Sequence, residues 1–353
     1  MKDIIINGDC ISVLKKMESE SVDLIFADPP YWMQTEGVLL RSEGTKYKGV
    51  DDDWDKFKSY NDYDKFSFGW ISECKRVLKK NGSLWIIGAF QNIYRIGYIL
   101  QELDMWIIND VIWNKTNPTP NFMGTRFTNS SETMIWCTKE KNSKYTFNYK
   151  TMKHLNGGKQ MKSVWNIPLC TGKERLKNNL GEKLHNTQKP KLLLENIILS
   201  TSKVRDVVLD PFVGSGTTAS IAKMYKRYYI GIEKEKKYIP YIEKRINNTK
   251  ISDNDDLIYN TYDIKPKRVP IGELLKVGYL KENEKMYNKN GVECGVLLKD
   301  GKVLIDGLTY SIHRGSAKIL GLTNNNGWDF WYVKRNNLTP IDYFRDKFRE
   351  NHL

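Results

Sequence analysis

The chain has 353 residues and carries 56 Lys+Arg against 42 Asp+Glu, a formal charge of +14, with 40% hydrophobic residues. No apolar run reaches the roughly 18 residues that span a bilayer, and Asp3 interrupts the start before any long apolar segment, so neither a membrane span nor a secretory leader is expected. Five cysteines (Cys10, Cys74, Cys137, Cys170, Cys294) never fall in a CxxC spacing, which argues against a disulfide framework and a zinc site and fits a cytoplasmic protein.

Short apolar runs predict buried strands at 3–6 and 22–27, with a helix between them over 11–17. Asn7-Gly8-Asp9-Cys10 stands between the first strand and that helix. The second strand runs directly into Asp28-Pro29-Pro30-Tyr31. Two consecutive prolines fix φ and remove two N–H donors, so this turn is stiff and its carbonyls must find partners elsewhere. A polar stretch follows over 32–62, with 5 basic and 7 acidic residues and with Trp32 and Trp54. A loop of that length beside a site is usually functional or unstructured. We expect it to close over a bound partner, with Trp54 as a packing anchor or stacking wedge.

Residues 66–79 read as a helix stopped by Asn81-Gly82, and strands are expected at 83–88, 106–113 and 132–138. Pro190 opens a helix over 190–201. A strand at 207–209 leads into Asp210-Pro211-Phe212-Val213-Gly214-Ser215-Gly216-Thr217-Thr218, followed by a helix over 219–226, a strand at 229–232 ending in Glu233, and a helix over 238–247. Residues 248–268 are polar and aperiodic and read as a linker. The tail, 269–353, reads as a small α+β module, with a hairpin at Lys299-Asp300-Gly301-Lys302 and a last helix opened by Thr339-Pro340. Strands alternating with helices over 1–247 imply a mostly parallel α/β sheet covered on both faces.

The surplus charge is concentrated. Residues 139–184 hold 11 basic and 3 acidic residues (+8), and residues 265–353 hold 16 and 10 (+6), which together account for the whole +14. Two basic segments around a neutral body suit a polyanion, because each neutralised phosphate releases counterions. Nucleic acid is the partner that charge favours. Segment 139–184 also interleaves Tyr145, Phe147, Tyr149 and Trp165 and is the candidate target-recognition region, although aromatics in such a stretch more often serve a core.

Ligands of open parallel sheets bind beyond the carboxyl ends of strands. At Asp28-Pro29-Pro30-Tyr31 a flat ring bearing an amino group can stack on Tyr31 while its NH₂ donates to Asp28 and the Pro29 carbonyl. Those bonds draw the nitrogen lone pair out of ring conjugation and make it a better nucleophile. The glycine turn brings a ligand close to backbone N–H groups. It lacks a Gly-Lys-Ser/Thr ending, which disfavours phosphate transfer, and Glu233 is placed to accept from ribose hydroxyls. Either turn alone is a weak signal; on one sheet they form a strong one. His154, His185 and His313 do not cluster with the cysteines, so no metal is expected.

The pair resembles an S-adenosylmethionine-dependent DNA amino-methyltransferase in the permuted β-class order, in which the catalytic turn precedes the glycine turn. That resemblance implies a Rossmann-like fold with a mostly parallel seven-stranded sheet and a small C-terminal α+β domain. It points to Asp9 and Cys10 at the cofactor's adenine. His185-Asn186-Thr187-Gln188-Lys189-Pro190 is similar to the motif that places Thr187 and Lys189 near the methionine end, with Asp210 facing the ammonium and Glu233 the ribose. Asn117-Pro118-Thr119-Pro120-Asn121-Phe122, Ile167 to Gly172, Asp52 to Phe57 and tail segments around Gly307 to His313 and Asn326-Gly327-Trp328 further resemble the GANTC-methylating subfamily that includes cell-cycle-regulated bacterial enzymes.

Under that resemblance the substrate is adenine N6 in double-stranded DNA, reached by flipping the base out of the helix. The catalytic residues are Asp28, Pro29, Pro30 and Tyr31. The cofactor residues also include Phe212, Gly214, Ser215, Gly216, Thr217 and Thr218. Trp54, Asn117, Asn121, Arg126 and Arg175 are the expected DNA contacts. A homodimer and a cognate restriction endonuclease are the further partners. The competing readings are an N4-cytosine methyltransferase, which needs the same amino-group chemistry, and a non-catalytic DNA-binding protein.

Overall fold

The computed structural model describes residues 2–32, 39–40, 46–47, 57–121, 124–177, 181, 183–185 and 187–352. It divides into two compact units, 1–264 and 265–353.

The first unit contains β1 (Ile4–Asn7), α1 (Cys10–Leu14), β2 (Val22–Ala27), the antiparallel pair β3 (Leu39–Leu40) and β4 (Lys46–Tyr47), α2 (Tyr60–Val77), β5 (Leu78–Gly88) and α3 (Ile93–Glu102). It continues with β6 (Trp106–Lys115), β7 (Ser131–Thr138), α4 (Tyr149–Leu155), β8 (Val164–Ile167), α5 (Lys191–Thr201) and β9 (Val207–Asp210). The last elements are α6 (Thr217–Met224), β10 (Tyr228–Glu233), α7 (Ile239–Asn247) and α8 (Asp255–Tyr259).

Among the described residues its sheet has eight strands in the order β1-β10-β9-β2-β5-β7-β6-β8, one more than the expected seven. The added edge strand is β8, which pairs parallel to β6 from Ile112↔Val164 to Lys115↔Ile167. It escaped the sequence reading because only four residues carry it, inside a basic segment without sustained alternation. β7 runs antiparallel to both of its neighbours, and the other pairings are parallel.

The core lies on both faces. One layer packs Leu14, Trp70, Ile71, Val77, Ile96 and Leu100 against Ile25, Leu84 and Leu209. The other packs α5 and α6, through Leu193, Leu194, Ile197 and Ile221, against Phe26, Trp85 and Val208. Trp85 and Trp136 stack at 5.2 Å with rings 3° from parallel, and Trp165, Tyr145 and Phe147 surround them. Of the aromatics in 139–184, Trp165 is buried in this packing, whereas Tyr145, Phe147 and Tyr149 stay exposed.

Several expected boundaries move. α2 begins at Tyr60, where Ser59 accepts from the Asp62 amide at 3.2 Å as N-cap, so the long loop ends earlier than residue 62. It stops at Val77, and Asn81-Gly82 sits inside β5, where the register jumps from Val22↔Leu78 to Leu24↔Ser83. This Asn-Gly pair makes a β-irregularity rather than a helix stop. α3 was not anticipated; its apolar face buries Ile93, Ile96, Ile99 and Leu100.

Residues 248–264 are no linker. Leu257 and Ile258 on α8 enter the core, and Arg227, 2% exposed, donates to the Ile258 carbonyl at 2.6 Å and to Asn260 Oδ1 at 2.7 Å. Two apolar residues in a polar stretch gave too little periodicity to detect. Ile258→Ala is expected to destabilise the first unit by about 3 kcal/mol, the cost of a cavity at a buried isoleucine. Urea denaturation followed by far-UV circular dichroism checks this; a true linker residue would leave the transition unmoved.

The second unit contains α9 (Ile271–Lys276), β11 (Lys285–Tyr287), β12 (Glu293–Leu297), β13 (Val303–Ile305), β14 (Leu308–Tyr310), α10 (Ile312–Leu320), α11 (Gly327–Phe330), β15 (Tyr332–Lys334), β16 (Leu338–Pro340) and α12 (Ile341–His352). Its strands form an antiparallel sheet in the order β14-β13-β12-β11-β15-β16 around Met286, Leu297, Trp331, Val333 and Ile341. β12 and β13 pair antiparallel across Asp300-Gly301, with Gly301 at φ +79, as the hairpin signal requires. Thr339 and Pro340, expected to open the last helix, instead close β16.

Candidate active site

Four adjacent parallel strands, β1, β10, β9 and β2, deliver one acid each at their carboxyl ends: Asp9, Glu233, Asp210 and Asp28. Asp210 and Glu233 are the last residues of their strands, Asp28 follows β2 directly, and Asp9 caps α1 after β1. Pairing in register brings these ends together on one rim. There they line a single cavity of about 1160 Å³.

The same cavity is lined by Cys10, Pro29, Pro30, Tyr31, Thr187, Lys189, Phe212, Gly214, Ser215, Thr217 and Thr218, so the proline turn and the glycine turn share it. Asn117, Asn121, Arg126 and Arg175 also line it. Trp54 and most of 32–56 lie outside the described residues.

Gly216 is the exception among the cofactor residues expected from sequence. It does not line the cavity; at φ +75, a Cβ there would meet Ile242 Cγ2 on α7 at 2.7 Å. Helix packing and a left-handed backbone each favour glycine at this position.

The proline turn is braced from below. Tyr63 Oη donates to the Pro30 carbonyl at 3.1 Å and accepts from Asn92 Nδ2 at 3.0 Å. This supplies, from α2, the carbonyl partner that a proline pair demands.

Asp28 belongs to a four-charge cluster in which Lys115 and Lys189 are buried and Asp28 and Glu132 partly buried. Lys189 Nζ is 2.9 Å from Asp28 Oδ2 and 3.6 Å from Glu132 Oε2, and Lys115 Nζ is 2.8 Å from Glu132 Oε1. Tyr31 Oη donates to Glu132 Oε2 at 3.0 Å, and the Lys189 ammonium sits 5.1 Å from the Tyr31 ring centroid. Two carboxylates and two ammoniums neutralise one another, the condition for charges held with limited access to water.

Burial pushes the Asp28 carboxyl up, with Lys189 opposing the shift. Burial works on Glu132 in the same sense, but Lys189 and Lys115 overcome it and hold that carboxyl below its ordinary value. Burial opposes the Lys189 ammonium, yet Asp28 and Glu132 raise its pKa on balance. Glu132 and Lys115 were missed at the sequence level. Each looks like a charged strand terminus, and Tyr31 is 101 residues from Glu132.

At the glycine turn, Asp210 Oδ1 accepts from the Phe212 amide at 2.9 Å and Oδ2 from Thr218 Oγ1 at 2.5 Å. Glu233 accepts from the Gly214 amide at 2.9 Å and the Glu235 amide at 2.8 Å. Burial nevertheless pushes each carboxyl up to about 7. Phe212 packs edge-on against Trp70 at 5.2 Å.

Asp9 Oδ1 accepts from the Ser12 amide and hydroxyl at 2.9 and 2.8 Å. Cys10 is a protonated thiol, its pKa raised to about 12 by burial. Thr187 bonds His185 Nδ1 through its hydroxyl at 3.2 Å. Arg175 donates to the Cys170 carbonyl at 2.9 Å and the His185 carbonyl at 3.2 Å, and so ties the loop across the cavity. Asn117 Oδ1 accepts from the Leu169 amide at 2.6 Å. At the mouth, next to Arg126, Phe127 is 98% exposed.

Residues 22–244 match the N6/N4 methyltransferase family model, described as DNA methylase, and residues 258–353 match the model described as Restriction Enzyme Adenine Methylase Associated. The chain is 57% identical to Type II methyltransferase M.HinfI of Haemophilus influenzae over 333 residues, covering 94% of this chain and 92% of that protein. The chain belongs to the N6/N4 DNA methylase family.

This methylase is also 43% identical to Type II methyltransferase M2.LlaDCHI of Lactococcus lactis subsp. cremoris, over 69% of its own length and 89% of the relative's. Its fold matches the M1.HpyAVI–SAM complex at a TM-score of 0.51 and 27% identity, covering 69% of this chain and 98% of that one. It matches the PvuII cytosine-N4-specific DNA methyltransferase at a TM-score of 0.55 and 18% identity, covering 74% and 93%.

The methylase is a site-specific DNA methyltransferase and uses S-adenosylmethionine. The donor set suits that cofactor. Two carboxyls poised near neutrality, Asp210 and Glu233, ask for an ammonium and for hydroxyl donors, and an adenosine bearing an amino-acid chain carries both. Among the described residues no helix is long and apolar enough to cross a membrane.

Proposed function

We propose that the enzyme methylates adenine N6 in duplex DNA, within GANTC, with the target base flipped into the cavity. The observation that carries this reading is the shared cavity. Asp28 and Tyr31 sit on the same rim as Asp210 and Glu233, so an amino group at one turn faces a methyl donor at the other. Bound S-adenosylmethionine supplies an electrophilic methyl carbon on a sulfonium.

The chain's own residues supply the rest. Asp28 accepts a hydrogen bond from the exocyclic amine and turns its lone pair toward the donor. Tyr31, its hydroxyl tied to Glu132, offers a fixed ring in place of the lost base stack. Burial excludes water and strengthens each of these contacts. Flipping costs a few kcal/mol, which the stack and hydrogen bonds offset.

An acidic first residue in the catalytic turn supports adenine over cytosine, and the adenine-methylase-associated match of the tail agrees. Arg126 and Asn121 at the cavity mouth are the proposed DNA contacts, with the tail as a second clamp. A homodimer and a partner endonuclease belong to the same reading. Tritium-labelled methyl transfer to a duplex containing GANTC, against a duplex with the site scrambled, tests it; equal labelling of both would overturn the target assignment.

Asp210 and Glu233 give the site a pH signature. Each must ionise to attract the cofactor's ammonium or accept from its ribose, and each does so only above about 7. Affinity for S-adenosylmethionine should therefore rise with pH through neutrality, falling about tenfold per protonated carboxylate for each pH unit below its pKa. Titration calorimetry from pH 6 to 8 checks this, and Asp210→Asn should flatten the slope.

A further inference from the structure

Arg245 on α7 is a buried cation with no carboxylate at ion-pair distance among the described residues. The residue is 8% exposed, and Nη2 is buried without a hydrogen-bond partner among the described residues. Nη1 donates to the Ser215 carbonyl at 3.0 Å, to Ser215 Oγ at 3.3 Å and to Thr217 Oγ1 at 2.8 Å. Leaving a guanidinium in this condition is costly unless an anion approaches.

A guanidinium has donors only, so wherever Arg245 bonds a hydroxyl, that hydroxyl is the acceptor and its own proton is free to point away. Ser215 and Thr217 both line the cavity. Their remaining contacts, with each other at 3.3 Å and from Thr217 to the Lys189 carbonyl at 3.4 Å, are long. Asp210, by contrast, engages the Phe212 amide and Thr218. The glycine turn thus offers an anionic corner at Asp210 and a donor-rich, cation-backed corner at Ser215 and Thr217. An amino-acid zwitterion has matching ends.

We infer that Arg245 is a positioning residue that sets the orientation of the cofactor's amino-acid end, directing the Ser215 and Thr217 hydroxyls and its own charge at the carboxylate. This rests on the assignment of the glycine turn to the cofactor.

The test compares two ligands that differ only in that carboxylate, S-adenosylmethionine and its decarboxylated form, by titration calorimetry on the full chain. The wild type should prefer the carboxylate form by about tenfold or more, the worth of a charge-assisted contact. Arg245→Met should remove most of that preference by weakening S-adenosylmethionine alone, and Arg245→Lys, which keeps the charge, should retain part of it.

Equal weakening of both ligands in either variant would make Arg245 a structural support of the turn and overturn the inference. So would an unchanged preference. If Arg245→Met fails to fold, the same comparison in Arg245→Lys decides. Failure of the wild type to bind either ligand would instead overturn the cofactor assignment on which the inference stands.

Discussion

An Asp28→Ala variant is expected to lose methyl transfer to DNA by about a hundredfold to a thousandfold while still binding S-adenosylmethionine close to wild-type affinity. The magnitude is that of removing one preorganised group aimed at the reacting atom in a water-excluded site. The separation of effects follows from position. Asp28 belongs to the turn after β2, whereas the carboxylates proposed to meet the cofactor close β9 and β10. Asp28→Asn keeps the shape but replaces a carboxylate with a weaker acceptor, and should fall between alanine and wild type. Single-turnover methylation with calorimetry of cofactor binding reads both quantities. Equal loss of binding and turnover would mean that Asp28 serves the cofactor.

A Lys189→Met variant should move the acid limb of the turnover profile to higher pH. Burial already pushes the Asp28 carboxyl up, and Lys189 at 2.9 Å is what opposes it. With the ammonium gone, Asp28 keeps the burial penalty and the repulsion from Glu132. The fraction of ionised Asp28 at a given pH therefore falls. Removing an opposite charge at this range shifts a carboxyl by one unit or more, about 1.4 kcal/mol per unit. At pH above the new value, activity should recover substantially. Loss of one partner from a buried charge cluster also costs stability, roughly 3–5 kcal/mol, so the profile is best measured at a temperature well below the variant's unfolding transition. An acid limb at the wild-type position would show that Lys189 does not tune Asp28.

What the sequence made legible, and what it hid, follows from how far each feature depends on local chemistry. The turn residues Asp28, Pro29 and Pro30, and the run from Asp210 to Thr218, are contiguous and carry their own conformational logic. Alternation of strands and helices then placed both runs at strand ends, and the structure brings them to one cavity.

Glu132 and Lys115 were illegible because a buried ion pair has no local signature; the partners meet only once β6 and β7 are paired. Tyr63 and Asn92, which brace Pro30, were hidden for the same reason. β8 and α8 were too short to show a period, so a basic segment and an apparent linker concealed elements whose Trp165 and Ile258 lie in the core. Gly216 carries the opposite lesson. A glycine inside a cofactor-like motif also has a packing reason, since Ile242 behind it leaves no room for a Cβ.

The most direct test of the account is the chemical identity of the product. Duplex DNA containing GANTC sites is incubated with the enzyme and isotopically labelled S-adenosylmethionine, digested to nucleosides and separated by liquid chromatography with mass detection. Label is expected in N6-methyladenine alone, confined to duplexes that carry the site. Label in N4-methylcytosine would contradict the proposed base, and DNA without label would contradict the juxtaposition of amine and methyl donor from which the mechanism is built.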